Sequence, residues 1–212
     1  IKKKKSKKII YGRDFSYSMN DDTFFYFKDK NNNIKLPLPN LVGKFQLDNI
    51  STAIATVREL DLSISNKHIK KGITKIKSIA RLQEITKGKL KNLVKNNTLL
   101  VDGSHNPLGA KVLADYLDTL DCKKHMIIGM MANKDHNKYF KFFKGKISSL
   151  TTINIPNQKN AIKRKELKNK LNLKGLKINS EASIKDAIKS IPIKNNELIL
   201  ITGSLYLAGE IL

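Results

Sequence analysis

The chain is poor in cysteine, arginine, aromatic side chains and acid, and each shortage excludes something. Its single cysteine, Cys122, can close no disulfide within the chain and build no cysteine metal site, which points to a reducing compartment, the cytoplasm by default. No apolar run approaches the roughly 20 residues of a membrane helix, and the basic amino terminus is not followed by the apolar core of a signal peptide. No G-x-x-x-x-G-K-[ST] loop is present to wrap the β and γ phosphates of a nucleotide. His68, His125 and His136 are scattered, and no His/Asp/Glu spacing resembles a metal cage.

Against 41 basic residues stand 18 acids, a formal net charge of +23. Only Arg13, Arg58, Arg81 and Arg164 are arginine; the rest are lysines spread through every segment among Asn and Ile. Nucleic-acid readers concentrate arginine and stacking aromatics in a patch, whereas here aromatics are 7% of the chain and tryptophan is absent. Neither a specific nucleic-acid partner nor a membrane partner is expected. The 212 residues can bury roughly 70% of the surface exposed by the unfolded chain, enough for one or two domains. Because the chain opens on Ile1 rather than Met, it reads as a piece of a longer one.

Two patterns follow each other. Lys8–Tyr11, Thr23–Lys28 and Asn33–Leu38 are short β-prone runs separated by turn-forming residues, which predicts a small antiparallel meander. Gly43–Leu60 changes to helical spacing, with Asp48 or Asn49 placed to cap; Asn66–Ser78 predicts a second helix capped by Ser65 or Asn66. Beyond Ser78–Ala80, strands and helices alternate. Strands are predicted at Gln83–Ile85, Thr98–Val101, His125–Met130, Thr151–Ile155, Gly175–Ile178 and Glu197–Thr202. Helices are predicted at Pro107–Leu120, Asn137–Lys144, Ala161–Leu171, Ser183–Ile191 and from Ser204 onward. Apolar runs such as LLV, MIIGM and LILIT suit a parallel sheet covered on both faces, so the expected fold class is α/β, with a Rossmann-like, mostly parallel, doubly wound second domain.

The stretch Thr98–Leu113, TLLVDGSHNPLGAKVL, reads as a buried strand, a polar turn and a helix start. Gly103 permits the bend, Asn106 caps and Pro107 suits the first helical position. Those needs leave Asp102 and His105 unexplained, at the strand end where ligands of open α/β sheets collect and where a carboxylate can take both hydroxyls of a ribose. A capping aspartate would look the same. Arg81 precedes a strand in a chain that avoids arginine, so a two-point phosphate contact competes with a surface ion pair. Lys134 closes the next strand. Gly203 and Ser204 close the last one and open a helix, a possible cradle for carboxylate or phosphate as well as an ordinary turn.

Taken in order, YGRDF at Tyr11–Phe15, LPLPNLVGKFQLDN at Leu36–Asn49, Ala80–Gln83, VDGSHNP at Val101–Pro107, Gly129–Asp135, Ile155–Asn157 and GSLYLAGEIL at Gly203–Leu212 resemble the carboxy-terminal half of the bifunctional folylpolyglutamate synthase/dihydrofolate synthase family of the Mur ligase superfamily. The chain departs from that family's pattern at Phe45, Ala80 and Asn133, where the family carries His, Gly and Asp. The resemblance implies residues 1–79 as the end of the central, ATP-binding α/β domain and residues 80–212 as the Rossmann-like carboxy-terminal domain. It implies an ATP-dependent ligase that joins L-glutamate to dihydropteroate or a folate through an acyl phosphate, with ATP and Mg2+ as cofactors. In this half Arg81, Asp102 and His105 would bind ATP, while Ser204 and Lys134 would hold glutamate or the reacting phosphate. No metal ligand is expected here, because the family's P-loop and magnesium-binding carboxylate belong to the amino-terminal half. Without that half the chain is expected to be inactive, and the complete protein is expected to be a monomer. A ligase for cell-wall peptides and a non-catalytic basic binding module are the competing readings.

Overall fold

The computed structural model describes residues 6–19, 21–60, 62–171 and 175–212. The chain forms two compact units, Ile1–Ser78 and Ile79–Leu212.

In the first unit an antiparallel sheet of β1 (Phe15–Met19), β2 (Phe24–Asp29) and β3 (Asn33–Pro37) pairs in the order β1-β2-β3. Its register sets Phe25 opposite Leu36 and Phe27 opposite Ile34, so one face is apolar. That face is covered by Leu47, Ile50, Ile54 and Ala55 of α1 (Phe45–Glu59) and by Ile69 and Ile73 of α2 (Asn66–Lys75). The predicted strand Lys8–Tyr11 is not one. The Asp14 carboxylate accepts the Ile10 amide at 2.8 Å and Gly12 N–H donates to Phe15 O, which curls this stretch into a turn and leaves β1 to begin at Phe15. The expected caps of α1 also differ. The helix starts at Phe45 without a side-chain cap, and Asp48 lies inside its first turn, where it accepts the Tyr17 hydroxyl at 3.0 Å. Partial burial and that bond push the Tyr17 phenol up to about 12. Ser65 caps α2 as expected, in a capping box closed by His68.

The second unit is a six-stranded sheet in the order β4-β5-β9-β6-β7-β8. Its strands are β4 (Gln83–Glu84), β5 (Thr98–Val101), β6 (Lys124–Ile128), β7 (Ser149–Thr152), β8 (Ile178–Ser180) and β9 (Leu198–Thr202). All neighbours are parallel except β4, which runs antiparallel to β5 at the edge. The expected mostly parallel, Rossmann-like sheet is therefore present. Strands β7 and β8 are displaced by two or three residues from the predicted runs. A short helix α3 (Lys89–Val94), which the periodicity does not announce, precedes β5. The remaining helices are α4 (Pro107–Asp118), α5 (His136–Phe140), α6 (Arg164–Lys170), α7 (Ile184–Ser190) and α8 (Leu205–Gly209).

Side chains alternate across this sheet. Leu99, Val101, Ile127, Ile199 and Ile201 pack into one core with Val94 of α3 and Ala187 and Ile188 of α7, while Leu100, Met126, Ile128 and Leu200 are buried on the opposite face. Because the chain returns from β8 to insert β9 between β5 and β6, the carboxyl ends of those three strands are adjacent. That reversal of order is where an open α/β sheet opens a ligand crevice.

Candidate functional site

The site is assembled from the turns that leave β5, β9 and β6 and from the segment that leads into β4. Past Val101 the β5–β9 ladder continues for one more bond, Asp102 N–H to Ile201 O at 3.0 Å. Asp102 is only 5% exposed, so its carboxylate must find partners, and it finds main chain: Ser104 N–H reaches Oδ1 at 2.9 Å and Leu82 N–H reaches Oδ2 at 3.0 Å. Gly103 N–H donates to Ala80 O at 2.8 Å. The β5 turn thus grips the residues on both sides of Arg81.

Those two residues are in an unusual state. Ala80 and Leu82 both adopt the left-handed region, φ 56° and 48°. Each such residue costs about 1–2 kcal/mol, which the Asp102 and Gly103 bonds offset. The consequence is a fixed pedestal for a half-buried Arg81. Arg13 pairs with Asp14, Arg58 with Asp29, and Arg164 donates to Ser180 O, whereas Arg81 has no side-chain partner among the described residues.

His105 donates from Nδ1 to Gly103 O at 2.9 Å, which fixes its tautomer and leaves Nε2 as an acceptor. Asn106 caps α4 through the Gly109 amide, with Pro107 at the first helical position. At the end of β9, Gly203 has φ 102°, and a Cβ there would lie 2.6 Å from the Gly129 carbonyl, so no other residue fits. Gly203 N–H donates to Ser104 O at 3.1 Å and joins the two turns. Ser204 is buried and caps α8, its Oγ accepting from Tyr206 N–H at 3.1 Å and donating to no group among the described residues. The structure therefore joins Asp102, His105 and the two residues flanking Arg81 into one hydrogen-bonded group, with Ser204 joined to it through Gly203. Lys134 lies on the same edge beyond β6, half-buried, with no bond to that group among the described residues.

Three contributors are not legible in the sequence. Two are the hydroxyls of Tyr139 in α5 and Thr202 at the end of β9, which meet each other at 3.2 Å and Ser104 Oγ at 2.9 and 3.2 Å. The αL state of Ala80 and Leu82 is the third, and only the glycine that the resembling family carries at Ala80 hinted at it. Among the described residues no group of three or more His, Cys, Asp or Glu is arranged to hold a metal ion. A cavity of about 390 Å³ lies in the first unit, rimmed by Lys7, Lys8 and Lys30, and none of the candidate residues lines it.

A family described as Mur ligase, glutamate ligase domain, matches residues 81–205, more than half of the chain. The chain belongs to this family. The chain is 27% identical over 197 residues to a dihydrofolate synthase/folylpolyglutamate synthase of Haemophilus influenzae, a match that covers 84% of it and 44% of the relative. It thus spans less than half the length of that relative. Among solved structures it superposes on Escherichia coli FolC in complex with DHPP and ADP with a TM-score of 0.77 at 21% identity, covering 95% of this chain and 45% of that one. It superposes as well on a bifunctional folylpolyglutamate synthase/dihydrofolate synthase from Yersinia pestis complexed with AMPPNP and Mn ion, with a TM-score of 0.76 at 16% identity and coverage of 95% and 45%. At these identities the structural likeness establishes the fold of this chain.

Proposed function

We propose that this chain is the glutamate-ligase half of an ATP-dependent ligase that adds L-glutamate to dihydropteroate or to folylpolyglutamates. The observation that carries the reading is Arg81, a guanidinium without a partner among the described residues, on a backbone pedestal locked by Asp102 at the carboxyl edge of the sheet. Guanidinium offers phosphate a planar two-point contact, and the locked turn means that little conformational freedom is lost on binding. The residues also fit a nucleoside. Each Asp102 oxygen accepts one main-chain N–H and keeps capacity for a ribose hydroxyl, with His105 Nε2 as a further acceptor beside it. The Ser204 proton, and the Lys134 ammonium, would take the anionic groups of glutamate or of the transferred phosphate.

In the proposed reaction the γ-phosphoryl group passes to a carboxylate oxygen of the folate acceptor, releasing ADP. The amino nitrogen of L-glutamate then attacks the acyl carbon, the amide bond forms, phosphate departs and the nitrogen loses its proton. Arg81 neutralises charge on the phosphates, Asp102 fixes the nucleoside and Ser204 orients the incoming anion. Mg2+ would neutralise the transferring group, with its ligands contributed by the amino-terminal half. Residues 1–79 would be the end of the central domain and residues 80–212 the carboxy-terminal domain, in a cytoplasmic enzyme that is monomeric when complete.

The test compares the 212-residue chain with a full-length form carrying the segment that its relatives have ahead of the matched region. Only the longer form is expected to release phosphate from ATP when given dihydropteroate or a folate and L-glutamate. Turnover by the short chain, or turnover of the long one with a UDP-sugar peptide in place of the folate acceptor, overturns the reading.

A further inference from the structure

The carboxyl ends of β5 and β9 are held together by something other than their ladder. After Asp102 N–H to Ile201 O, one main-chain bond remains between the two turns, Gly203 N–H to Ser104 O. Directly beneath it, three buried hydroxyls form a closed triangle: Ser104 Oγ to Tyr139 OH at 2.9 Å, Tyr139 OH to Thr202 Oγ1 at 3.2 Å, and Thr202 Oγ1 to Ser104 Oγ at 3.2 Å. A ring of this kind lets each hydroxyl donate once and accept once. The Tyr139 hydroxyl also lies 3.3 Å from Ser104 O, the carbonyl that Gly203 already uses.

We propose that Tyr139 is a positioning residue, whose hydroxyl ring with Ser104 and Thr202 holds the Asp102–Pro107 and Gly203–Ser204 turns in the register that presents Asp102, His105 and Ser204 to one ligand. The proposal rests on the ligase reading and names what keeps its site assembled. The neighbourhood argues against a space-filling role. Phe140 and Phe143 are buried beside the Tyr139 ring, at centroid distances of 5.5 and 5.3 Å, and meet the packing demand with no polar atom. A phenol among them, completely buried, carries a desolvation cost that phenylalanine would avoid, so its hydroxyl is retained for its partners.

Amide hydrogen exchange in the 212-residue chain reads the brace directly. In Tyr139→Phe and in the isosteric Thr202→Val, exchange at Gly203 is expected to accelerate about fivefold or more, the equivalent of one ordinary hydrogen bond, while Ile199 and Ile127 inside the sheet change less than about twofold. The double variant Ser104→Ala/Tyr139→Phe should exchange no faster at Gly203 than the faster single variant, because all three groups act through one ring. In the full-length form, Tyr139→Phe should raise KM for ATP and for glutamate about fivefold. Unchanged exchange at Gly203, acceleration shared equally by the whole sheet, or unchanged KM alongside accelerated exchange each overturn the proposal. A full-length wild type that joins no glutamate sinks the ligase reading alone, since the exchange comparison then decides the brace by itself.

Discussion

Asp102 and Arg81 divide stability and function between them in a way that two substitutions separate. The Asp102 carboxylate holds two main-chain amides that no other group among the described residues reaches, so Asp102→Asn turns an amide NH2 toward one of them. The loss is expected to be about 2 kcal/mol, a fall in Tm of roughly 4–8 °C by calorimetry. Arg81→Ala removes a half-buried side chain that has no partner among the described residues, and its Tm should stay within about 1–2 °C of wild type. In the full-length form, on the ligase reading, the order reverses in importance. Arg81→Ala should lower kcat/KM for ATP by about 10² or more, and Arg81→Lys should not restore it, because a point charge lacks the planar two-point contact. An Arg81→Ala variant that is destabilised but active would make Arg81 a structural residue. Ala80 belongs to the same arithmetic: glycine would relieve its left-handed strain but lose a fully buried methyl group and gain freedom in the unfolded chain, which leaves the exchange near neutral.

At the scale of elements, the sequence was readable wherever local chemistry and burial agree. Thr98–Val101, Asn106 as cap and Pro107 as first helical residue needed no tertiary information, because Leu99, Leu100 and Val101 are buried on both faces and the cap is made within three residues. Lys8–Tyr11 deceived because its β propensity competes with a carboxylate four residues on, which captures the Ile10 amide. Six residues of α3 are too few for periodicity to register. The Ser104–Tyr139–Thr202 ring joins positions 35 and 98 apart, and no pattern along the chain encodes such a meeting. The opposite, amino-terminal edge of the sheet shows a second such meeting. There His125 bridges Ser149 Oγ at 2.7 Å and Glu197 Oε2 at 3.1 Å, joining the starts of β6, β7 and β9. The Lys194 amide, and then His125, hold the Glu197 carboxyl below its usual range. A depressed carboxylate contributes stability that is fully present above its unfolded value, about 4.3, and is lost as pH falls through the folded one. Denaturant midpoints should therefore decline from about pH 5 to pH 3. Glu197→Gln should be less stable at pH 7 and should decline less steeply in acid; an equal slope would remove Glu197 from the account.

Across the whole molecule, a net charge of +23 carried by lysines on every segment outweighs any single ion pair. Scattered like charges repel one another over a Debye length, about 30 Å at 0.01 M ionic strength and about 10 Å at 0.1 M, so the folded chain relaxes as salt is added. The exposed ion pairs Lys111–Asp115 and Lys170–Glu166 work the other way, since salt weakens them, but each is worth well under about 1 kcal/mol and they are few beside the surplus of lysine. Repulsion should therefore win, and Tm should rise between 0.01 and about 0.3 M NaCl. The same surplus separates the ligase reading from a basic binding module. A module whose charge is its function gathers lysines into one face and neutralises many phosphates at once, so log K falls with log salt at a slope near −0.9 for each phosphate contacted. Lysines spread around the surface bring few to any one stretch of duplex. Retention on DNA is accordingly expected to be indifferent to sequence, with a slope no steeper than about −3, and to vanish by about 0.2 M salt. A slope near −8 that persists in the Arg81→Ala variant would instead assign the charge a binding function of its own, independent of the nucleotide edge.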